Sequence, residues 1–211
     1  MIINILCDNP NSWFWDFGNE FIKGLQKNHD VHLARNQGEL VKGDIAAFIS
    51  CTTIVDNKNL KLNKSNIVCH PSKLPKGRGF SPIAWEVLAG CDELSFTLFE
   101  ANEYVDDGLI YLVKTVDLEG TELNSDLRNI QAKVTFELIN VYIKNYPNIE
   151  GKKQIGKPTF YKRRTKDDLE LNIDKTLNSQ FNILRVSDNK NYPAFFYFKG
   201  QKYVLKIEKD S

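Results

Sequence analysis

The chain has 211 residues, of which 42% are hydrophobic and 26% charged, values that predict a soluble globular protein with a sizeable buried core. Its 28 basic and 27 acidic residues give a formal net charge of +1, so no nucleic-acid partner is expected. No stretch approaches the roughly 18 apolar residues that a membrane span needs, so no membrane partner is expected either.

Four short, mostly apolar runs occur in the first third of the chain, at residues 2–7, 31–33, 45–50 and 67–70. Runs of this kind are typical of strands buried on both faces, and residues 12–26 between the first two have the length of a helix. This beginning predicts parallel strands joined by right-handed crossovers. The ligand crevice is then expected beyond the carboxyl ends of the strands.

The middle of the chain predicts a short helix and then two strands. Pro82 suits a first helical position, with Ser81 before it as the N-cap and Gly90 after it as a stop signal. The strands are predicted at residues 94–99 and 109–116. The loop that connects them contains Asp106.

A long helix is predicted next, with Thr121 as its cap and an end before Pro147. The positions expected on its buried face are Leu123, Leu127, Ile130, Val134, Leu138 and Val141. They are spaced by three or four residues, which is typical of helix packing and not of a cofactor site.

The last part of the chain predicts a different unit. Residues 151–161 are a glycine- and lysine-rich connection, and Asp174 is expected to cap a helix that carries Leu177, Phe181 and Leu184. A hairpin is predicted from strands 194–198 and 203–207 around residues 199–202. A helix and one hairpin are too small to fold alone, so they should pack on the main domain or on another subunit. The predicted division is a catalytic domain at 1–148 and an appendage at 149–211.

The cysteines give no sign of a metal site. Cys7, Cys51, Cys69 and Cys91 stand far apart without a C-x-x-C pair, and only three histidines accompany them. Since no secretory signal is visible either, the expected compartment is the reducing cytoplasm.

His70 is the strongest candidate for chemistry. It follows a predicted strand, stands among proline-bounded turns and a glycine-rich segment, and is answered by the acidic loop of residues 105–108. Imidazole passes protons near neutral pH, and a carboxylate such as Asp106 orients the ring and accepts protons. The alternatives are a structural histidine and a solvated turn aspartate, a role for which Asp107 is equally available.

Residues 66–83, 95–98 and 106–108 resemble the formyltransferases that use N10-formyltetrahydrofolate. The resemblance is carried by His70, Ser72, Leu74 and Pro75 in one motif, by Arg78-Gly79 and Pro82-Ile83 after it, and by Asp106 and Gly108. Residues 160–168 and 192–196 look like the stretch after the catalytic domain in formyltransferases that act on nucleotide-linked amino sugars.

The resemblance implies an α/β fold with a truncated Rossmann-like, mostly parallel sheet flanked by helices, and a small C-terminal helix plus β-hairpin. It implies that His70 and Asp106 are catalytic, that N10-formyltetrahydrofolate is the co-substrate, and that no metal is needed. The residues implied at the folate are Ser72, Leu74, Pro75, Gly79, Ala101, Asn102 and Val105. Main-chain groups of residues 101–105 are expected to hold the pterin, while the prolines and glycines shape the loop.

The acceptor contacts are predicted at Asn9, Trp13 and Lys76. Trp13 opens a predicted helix, where an aromatic residue is equally suited to the core. Arg163 and Arg164 suit a diphosphate, and ion pairs with Asp167 or Asp168 are the alternative.

One position departs from the family pattern. The family usually has an asparagine two residues before the histidine, and here Val68 stands there. Asn66 shares the strand face of His70, but four residues at about 3.3 Å each place it roughly 13 Å away. Asn102 is therefore the candidate for the missing amide.

These observations predict an N-formyltransferase that acts on the primary amine of a nucleotide-activated amino sugar, as in surface polysaccharide or pseudaminic acid biosynthesis. The alternatives are formylation of methionyl-tRNA or glycinamide ribonucleotide, and a non-catalytic binding module, which Val68 suggests. A homodimer is expected through the hairpin or the long helix.

Overall fold

The computed structural model describes residues 1–210. In chain order the strands and α-helices are β1 (Ile2–Leu6), α1 (Phe14–Gln26), β2 (Asp30–Ala34), β3 (Gly43–Phe48), α2 (Asn57–Leu60), β4 (Asn63–His70), β5 (Arg78–Gly79), α3 (Pro82–Leu88), β6 (Glu93–Glu100), β7 (Ile110–Asp117), α4 (Asn124–Asn145), β8 (Phe160–Tyr161), α5 (Phe181–Arg185), β9 (Ala194–Phe198) and β10 (Gln201–Leu205). Short 3₁₀ turns lie at Gln37–Glu39, Asp167–Leu169 and Asn178–Gln180.

Six strands form the main sheet in the order β2-β1-β3-β4-β6-β7. The first four strands are parallel, whereas β6 runs antiparallel to both β4 and β7. Helices cover the sheet, and β9 and β10 form a separate hairpin. The predicted fold class, a mostly parallel sheet with a small hairpin at the C-terminal end, is therefore confirmed.

The central strands β1 and β3 are buried on both faces because they lack polar alternation. Alternate residues such as Ile3, Ile5 and Ile67 enter the larger hydrophobic cluster, which α1 and α4 complete. Leu6 and Phe48 point into a smaller cluster on the opposite face. Since Val68 packs in the smaller cluster, strand alternation puts His70 on that face as well.

Of the two predicted helix caps, Ser81 is the N-cap residue of α3 as predicted, whereas Thr121 is not the cap of the long helix. Ser81 has a left-handed backbone (φ 51°) and its side chain makes no capping hydrogen bond to α3. The long helix begins after Leu123 and not at Thr121, because the Asp126 carboxylate accepts from the Leu123 backbone N–H at 3.0 Å. Val141, predicted on the buried face, is 39% exposed.

The predictions for the tail need two corrections. The Asp174-capped helix is replaced by a 3₁₀ turn and the short α5, with Leu177 62% exposed. The hairpin turns at Lys199 and Gly200, both with positive φ, so its second strand begins two residues earlier than predicted. A two-residue turn of this kind matches the twist of the paired strands.

The tail packs on the main sheet domain. Leu169, Val186 and Phe195 are part of the larger core cluster. Arg185, whose side chain is 3% exposed, donates to the Glu122 carboxylate at 2.7 Å and to the Glu122 carbonyl at 3.2 Å. The boundary at residues 148 and 149 stays a prediction. No helix within residues 1–210 is both long and apolar enough to cross a membrane.

Replacing Arg185 with methionine should destabilise the fold strongly. The Arg185→Met change leaves the Glu122 carboxylate without its buried partner, which typically costs about 3 kcal/mol. Urea unfolding followed by circular dichroism measures this loss. The control is Lys23→Met, which breaks an exposed pair with Glu20 and should leave the midpoint unchanged. Equal effects of the two changes would contradict a stabilising role for the buried pair.

Candidate active site

His70 is the last residue of β4, and a turn holds its ring. The side chain is 9% exposed, and Nε2 lies 2.8 Å from the Gly77 carbonyl oxygen. Because a carbonyl oxygen only accepts, Nε2 is the nitrogen that carries the hydrogen, and Nδ1 is the remaining polar atom of the ring. The turn after the strand therefore sets both the orientation and the tautomer of His70.

Asp106 faces this remaining nitrogen. Its Oδ2 lies 3.7 Å from His70 Nδ1, and the carboxylate is 14% exposed. The same Oδ2 accepts from the Gly79 backbone N–H at 2.8 Å, so the carboxylate is fixed by the glycine loop. The distance to the ring exceeds that of a direct hydrogen bond, so a proton passes between the two groups only through one water molecule or after a small side-chain movement. The structure thus brings the two predicted catalytic residues together.

The residues predicted at the folate divide into two groups, and the first group shapes the turn. The Ser72 hydroxyl donates to the Lys76 carbonyl at 2.8 Å, while the Thr97 hydroxyl donates to the Ser72 carbonyl at 2.7 Å. Leu74 and Pro75 are buried. Gly79 has φ +97°, a conformation that glycine adopts without strain.

The second group lies in the loop before Asp106. The Ala101 backbone N–H donates to the Asn66 carbonyl at 2.8 Å. The Asn102 side chain accepts from the Tyr104 backbone N–H at 2.9 Å. Among the hydrogen bonds of residues 1–210 none joins Asn102 to His70, so this structure does not support Asn102 as the replacement amide. Val105 is 44% exposed beside the site.

The asparagine position of the family holds an apolar side chain here. Val68 packs in the smaller hydrophobic cluster. Asn66 donates its amide to the Leu60 carbonyl at 2.9 Å, away from the ring. Neither side chain is hydrogen-bonded to His70, in line with the expectation that Asn66 does not take this role.

On the acceptor side, Trp13 belongs to the core. It is 7% exposed and its ring packs against Phe14 and Phe136, with a centroid distance of 5.7 Å to the latter. This burial favours the alternative that Trp13 is a core residue, and the acceptor contact stays a prediction. Asn9 accepts from the Asn11 backbone N–H at 3.0 Å and is half-buried, whereas Lys76 is exposed.

The two arginines of the tail are not paired with the neighbouring aspartates. Arg163 lies over the Phe80 ring at 4.7 Å, and Arg164 donates to the Val186 carbonyl at 3.4 Å. Burial lowers the pKa of the Arg164 guanidinium. The ion pair at this place is formed by Lys162 and Asp168, at 3.9 Å.

Gln154 holds the site together with Arg78, although no sequence pattern points to a role for this glutamine. Gln154 accepts from the Arg78 guanidinium at 2.7 Å and donates to the carbonyls of Asp106 and Gly108 at 2.8 and 3.0 Å. Arg78 also pairs with Asp107. Gln154 lies in the segment predicted as a plain connection, where no periodicity or motif distinguishes it.

Comparison with known proteins identifies relatives with one kind of chemistry. The family described as formyl transferase matches residues 24–143. The chain is 26% identical over 184 residues to the methionyl-tRNA formyltransferase of Malacoplasma penetrans, covering 83% of this chain and 57% of the relative. It is 30% identical over 167 residues to the GDP-perosamine N-formyltransferase of Brucella melitensis, covering 78% of this chain and 61% of the relative. The chain thus spans about three fifths of the length of these relatives.

Solved structures share the fold over the whole chain. A methionyl-tRNA formyltransferase from Clostridium thermocellum has a TM-score of 0.81 at 21% identity, covering 100% of this chain and 93% of that protein. A 4-N formyltransferase from Francisella tularensis has a TM-score of 0.73 at 19% identity, covering 100% and 98%. At these identities the likeness concerns the fold alone.

Gly79→Ala should destabilise the site loop. A Cβ at this position would lie 2.6 Å from the Tyr161 carbonyl oxygen, and φ +97° strains any other residue, so we expect a loss of about 1–3 kcal/mol. Thermal unfolding measures it. Gly24→Ala, in α1 with open space around it, is the matched control and should stabilise the protein slightly. A Gly79→Ala protein as stable as the Gly24→Ala protein would contradict the tight packing of the loop.

Proposed function

Because this chain belongs to the formyl transferase family, we propose that it transfers a formyl group from N10-formyltetrahydrofolate to the primary amine of a nucleotide-linked amino sugar. The observation that carries this proposal is the pair of His70 and Asp106, whose side chains lie 3.7 Å apart and are both largely buried. Family membership supplies the reaction class, and the pair supplies the groups that the reaction needs.

The chemistry requires proton movement at two nitrogens. As the acceptor amine joins the formyl carbon it must lose a proton, and the folate nitrogen that leaves must gain one. We propose that Asp106 takes the proton of the amine, directly or through water, and that the same proton is then delivered to the departing folate nitrogen, so that the carboxylate is regenerated. The doubly protonated ring of His70 has an Nδ1–H to offer to the developing oxyanion while Nε2 stays bound to the Gly77 carbonyl.

The surroundings of the pair suit a folate. N10-formyltetrahydrofolate supplies the formyl group, and residues 101–105 beside Asp106 are proposed to hold its pterin, chiefly through main-chain groups. Tyr104 and Val105 are 64% and 44% exposed there and give a planar ring apolar surface. The buried turn of Ser72, Leu74 and Pro75 is proposed to form the wall behind the formyl group. This division assigns rigid elements to the reacting centre and exposed ones to binding.

An amino sugar is the acceptor that the observations favour. The GDP-perosamine N-formyltransferase has the higher sequence identity of the two curated relatives compared, at 30%. A net charge of +1 is a poor match for a polyanion such as tRNA. We propose that the sugar serves surface polysaccharide or pseudaminic acid biosynthesis, in the cytoplasm, where the four free cysteines stay reduced.

A homodimer is part of this proposal. Tyr197, Phe198, Tyr203 and Val204 of the hairpin are each 46% exposed or more. Exposed apolar side chains on so small an element favour contact with another protein surface, here that of a second copy of the chain.

Methionyl-tRNA is the second candidate acceptor, favoured by the relative from Malacoplasma penetrans, which aligns with 83% of this chain. Purified protein offered 4-amino sugar nucleotides, glycinamide ribonucleotide or methionyl-tRNA separates the candidates by the tetrahydrofolate that each releases. Release that depends on the sugar nucleotide is expected. Release with methionyl-tRNA alone would contradict the amino-sugar proposal, and the absence of release with any amine would favour a binding module.

Substitutions of the pair should reduce the rate of transfer. His70→Ala and Asp106→Asn are each expected to lower the rate by about 10²–10⁴-fold, the usual size of an acid/base contribution. Asp107→Asn is the matched control, because the Asp107 carboxylate is 46% exposed and pairs with Arg78 and not with the imidazole ring of His70. It should stay within about tenfold of the unaltered protein. Unchanged release in His70→Ala would contradict the assignment.

A further inference from the structure

Residues 152–161, which we call the strap, cross over the loops of the proposed active site. At one end, Lys152 pairs with Ile110 through two backbone hydrogen bonds of 2.7 and 2.8 Å. At the other end β8 pairs with β5, and the Arg78 backbone N–H donates to the Thr159 carbonyl at 2.9 Å. The strap is thus fixed to the strand after Asp106 and to the turn after His70.

Gln154 is the residue of the strap that reaches the Asp106 loop. Its oxygen accepts from the Arg78 guanidinium, and its nitrogen donates to the carbonyls of Asp106 and Gly108. A guanidinium only donates and a carbonyl only accepts, so these partners allow one orientation of the amide. A side chain with both a donor and an acceptor is required to satisfy both sides.

The Asp106 loop needs such support because of its backbone. Asp106 has φ 51°, a left-handed conformation that costs a residue other than glycine of order 1–3 kcal/mol. Gly108 is in contact with the Glu100 carbonyl, since a Cβ there would lie only 1.7 Å from that oxygen. Conformations of this kind persist only where the surroundings hold them, and Gln154 binds the carbonyl of Asp106 itself.

We propose that Gln154 is a positioning residue, which holds the Asp106 carboxylate against His70 and thereby sets the rate of the chemical step. This inference rests on the proposed formyl transfer. Gln154 does not contact His70, and its effect passes through the loop of Asp106. The segment after the long helix, which contains the strap, therefore contributes to the site.

Kinetics of Gln154→Leu test this role. A carboxylate displaced by about 1 Å costs a large factor in rate, so kcat should fall about 10- to 100-fold while the KM for the folate and for the amine change less than about threefold. In an Asp106→Asn protein the same change should have almost no further effect on kcat, because the group that Gln154 positions is already removed. Additive losses of kcat in the double variant, or a loss confined to KM, would overturn the proposal.

Two further variants separate positioning from general loss of structure. Gln180→Leu removes a buried glutamine of the tail, whose amide donates to the Asn172 carbonyl at 3.0 Å, and it should lower stability without lowering kcat. Gln154→Glu keeps an oxygen that accepts from Arg78, but its second oxygen faces the carbonyls of Asp106 and Gly108 and has no hydrogen to donate. Its kcat should therefore fall as in Gln154→Leu. Equal kcat losses in Gln154→Leu and Gln180→Leu would show that only stability matters.

A measurement without turnover keeps the inference independent of the reaction. The Gly79 N–H donates to Asp106, so its hydrogen exchange reports directly on the position of the carboxylate. We expect at least about tenfold faster exchange at Gly79 in Gln154→Leu and no change in Gln180→Leu. Unchanged exchange in Gln154→Leu would overturn the positioning role, whereas faster exchange in a protein that transfers no formyl group would uphold it and reject the proposed function.

Discussion

The proposed site depends on the hydrogen bond between the Gly79 backbone N–H and the Asp106 carboxylate. This 2.8 Å contact joins the turn after β4 to the loop after β6, two segments that are distant in sequence. It also holds Oδ2 facing Nδ1 of His70. The glycine is essential to the contact, because its positive φ and the close Tyr161 carbonyl exclude a side chain.

The reversal of strand direction in the sheet makes this contact possible. β6 runs antiparallel to β4, so it passes His70 first, at Thr97, and ends at Glu100 opposite Ile67, three residues before the end of β4. The loop that follows lies beside the face that carries His70. If this strand were parallel to β4, the loop after it would lie beyond the carboxyl end of the sheet and would lead into a crossover connection. The predicted crevice at the carboxyl ends is therefore closed on one side by an antiparallel neighbour.

The sequence was sufficient to predict those parts of the fold and of the site that follow from local patterns. The buried strands, the positions of α1 and α4, and the pair of His70 and Asp106 follow from apolar runs, helical spacing and motif distance. The start of α4 was missed because the Asp126 side chain binds the backbone at Leu123, and Thr121 does not cap the helix. Propensity alone does not decide between such competing side chains.

The role of the strap was not predictable, since it depends on tertiary contacts of a single amide. Gln154 carries no motif, and its three partners lie in two distant segments of the chain, at Arg78 and in the Asp106 loop. The same reason applies to Trp13, which a sequence leaves equally suited to core and ligand until Phe14 and Phe136 are seen to enclose it. Val68 is a different case. Its packing in the smaller cluster suits an apolar side chain at this position, but it does not identify a group that takes the role of the family's asparagine.

The central claim is that the turn and the Asp106 loop hold His70 in one tautomer, facing one carboxylate. Nitrogen-15 NMR of the imidazole rings tests it directly, because the chain has three histidines and their signals can be assigned. The neutral ring of His70 should show Nε2 protonated, with an Nδ1 shift that changes in Asp106→Asn and not in Asp107→Asn. A neutral ring protonated at Nδ1, or an Nδ1 shift that is insensitive to Asp106, would contradict the pairing.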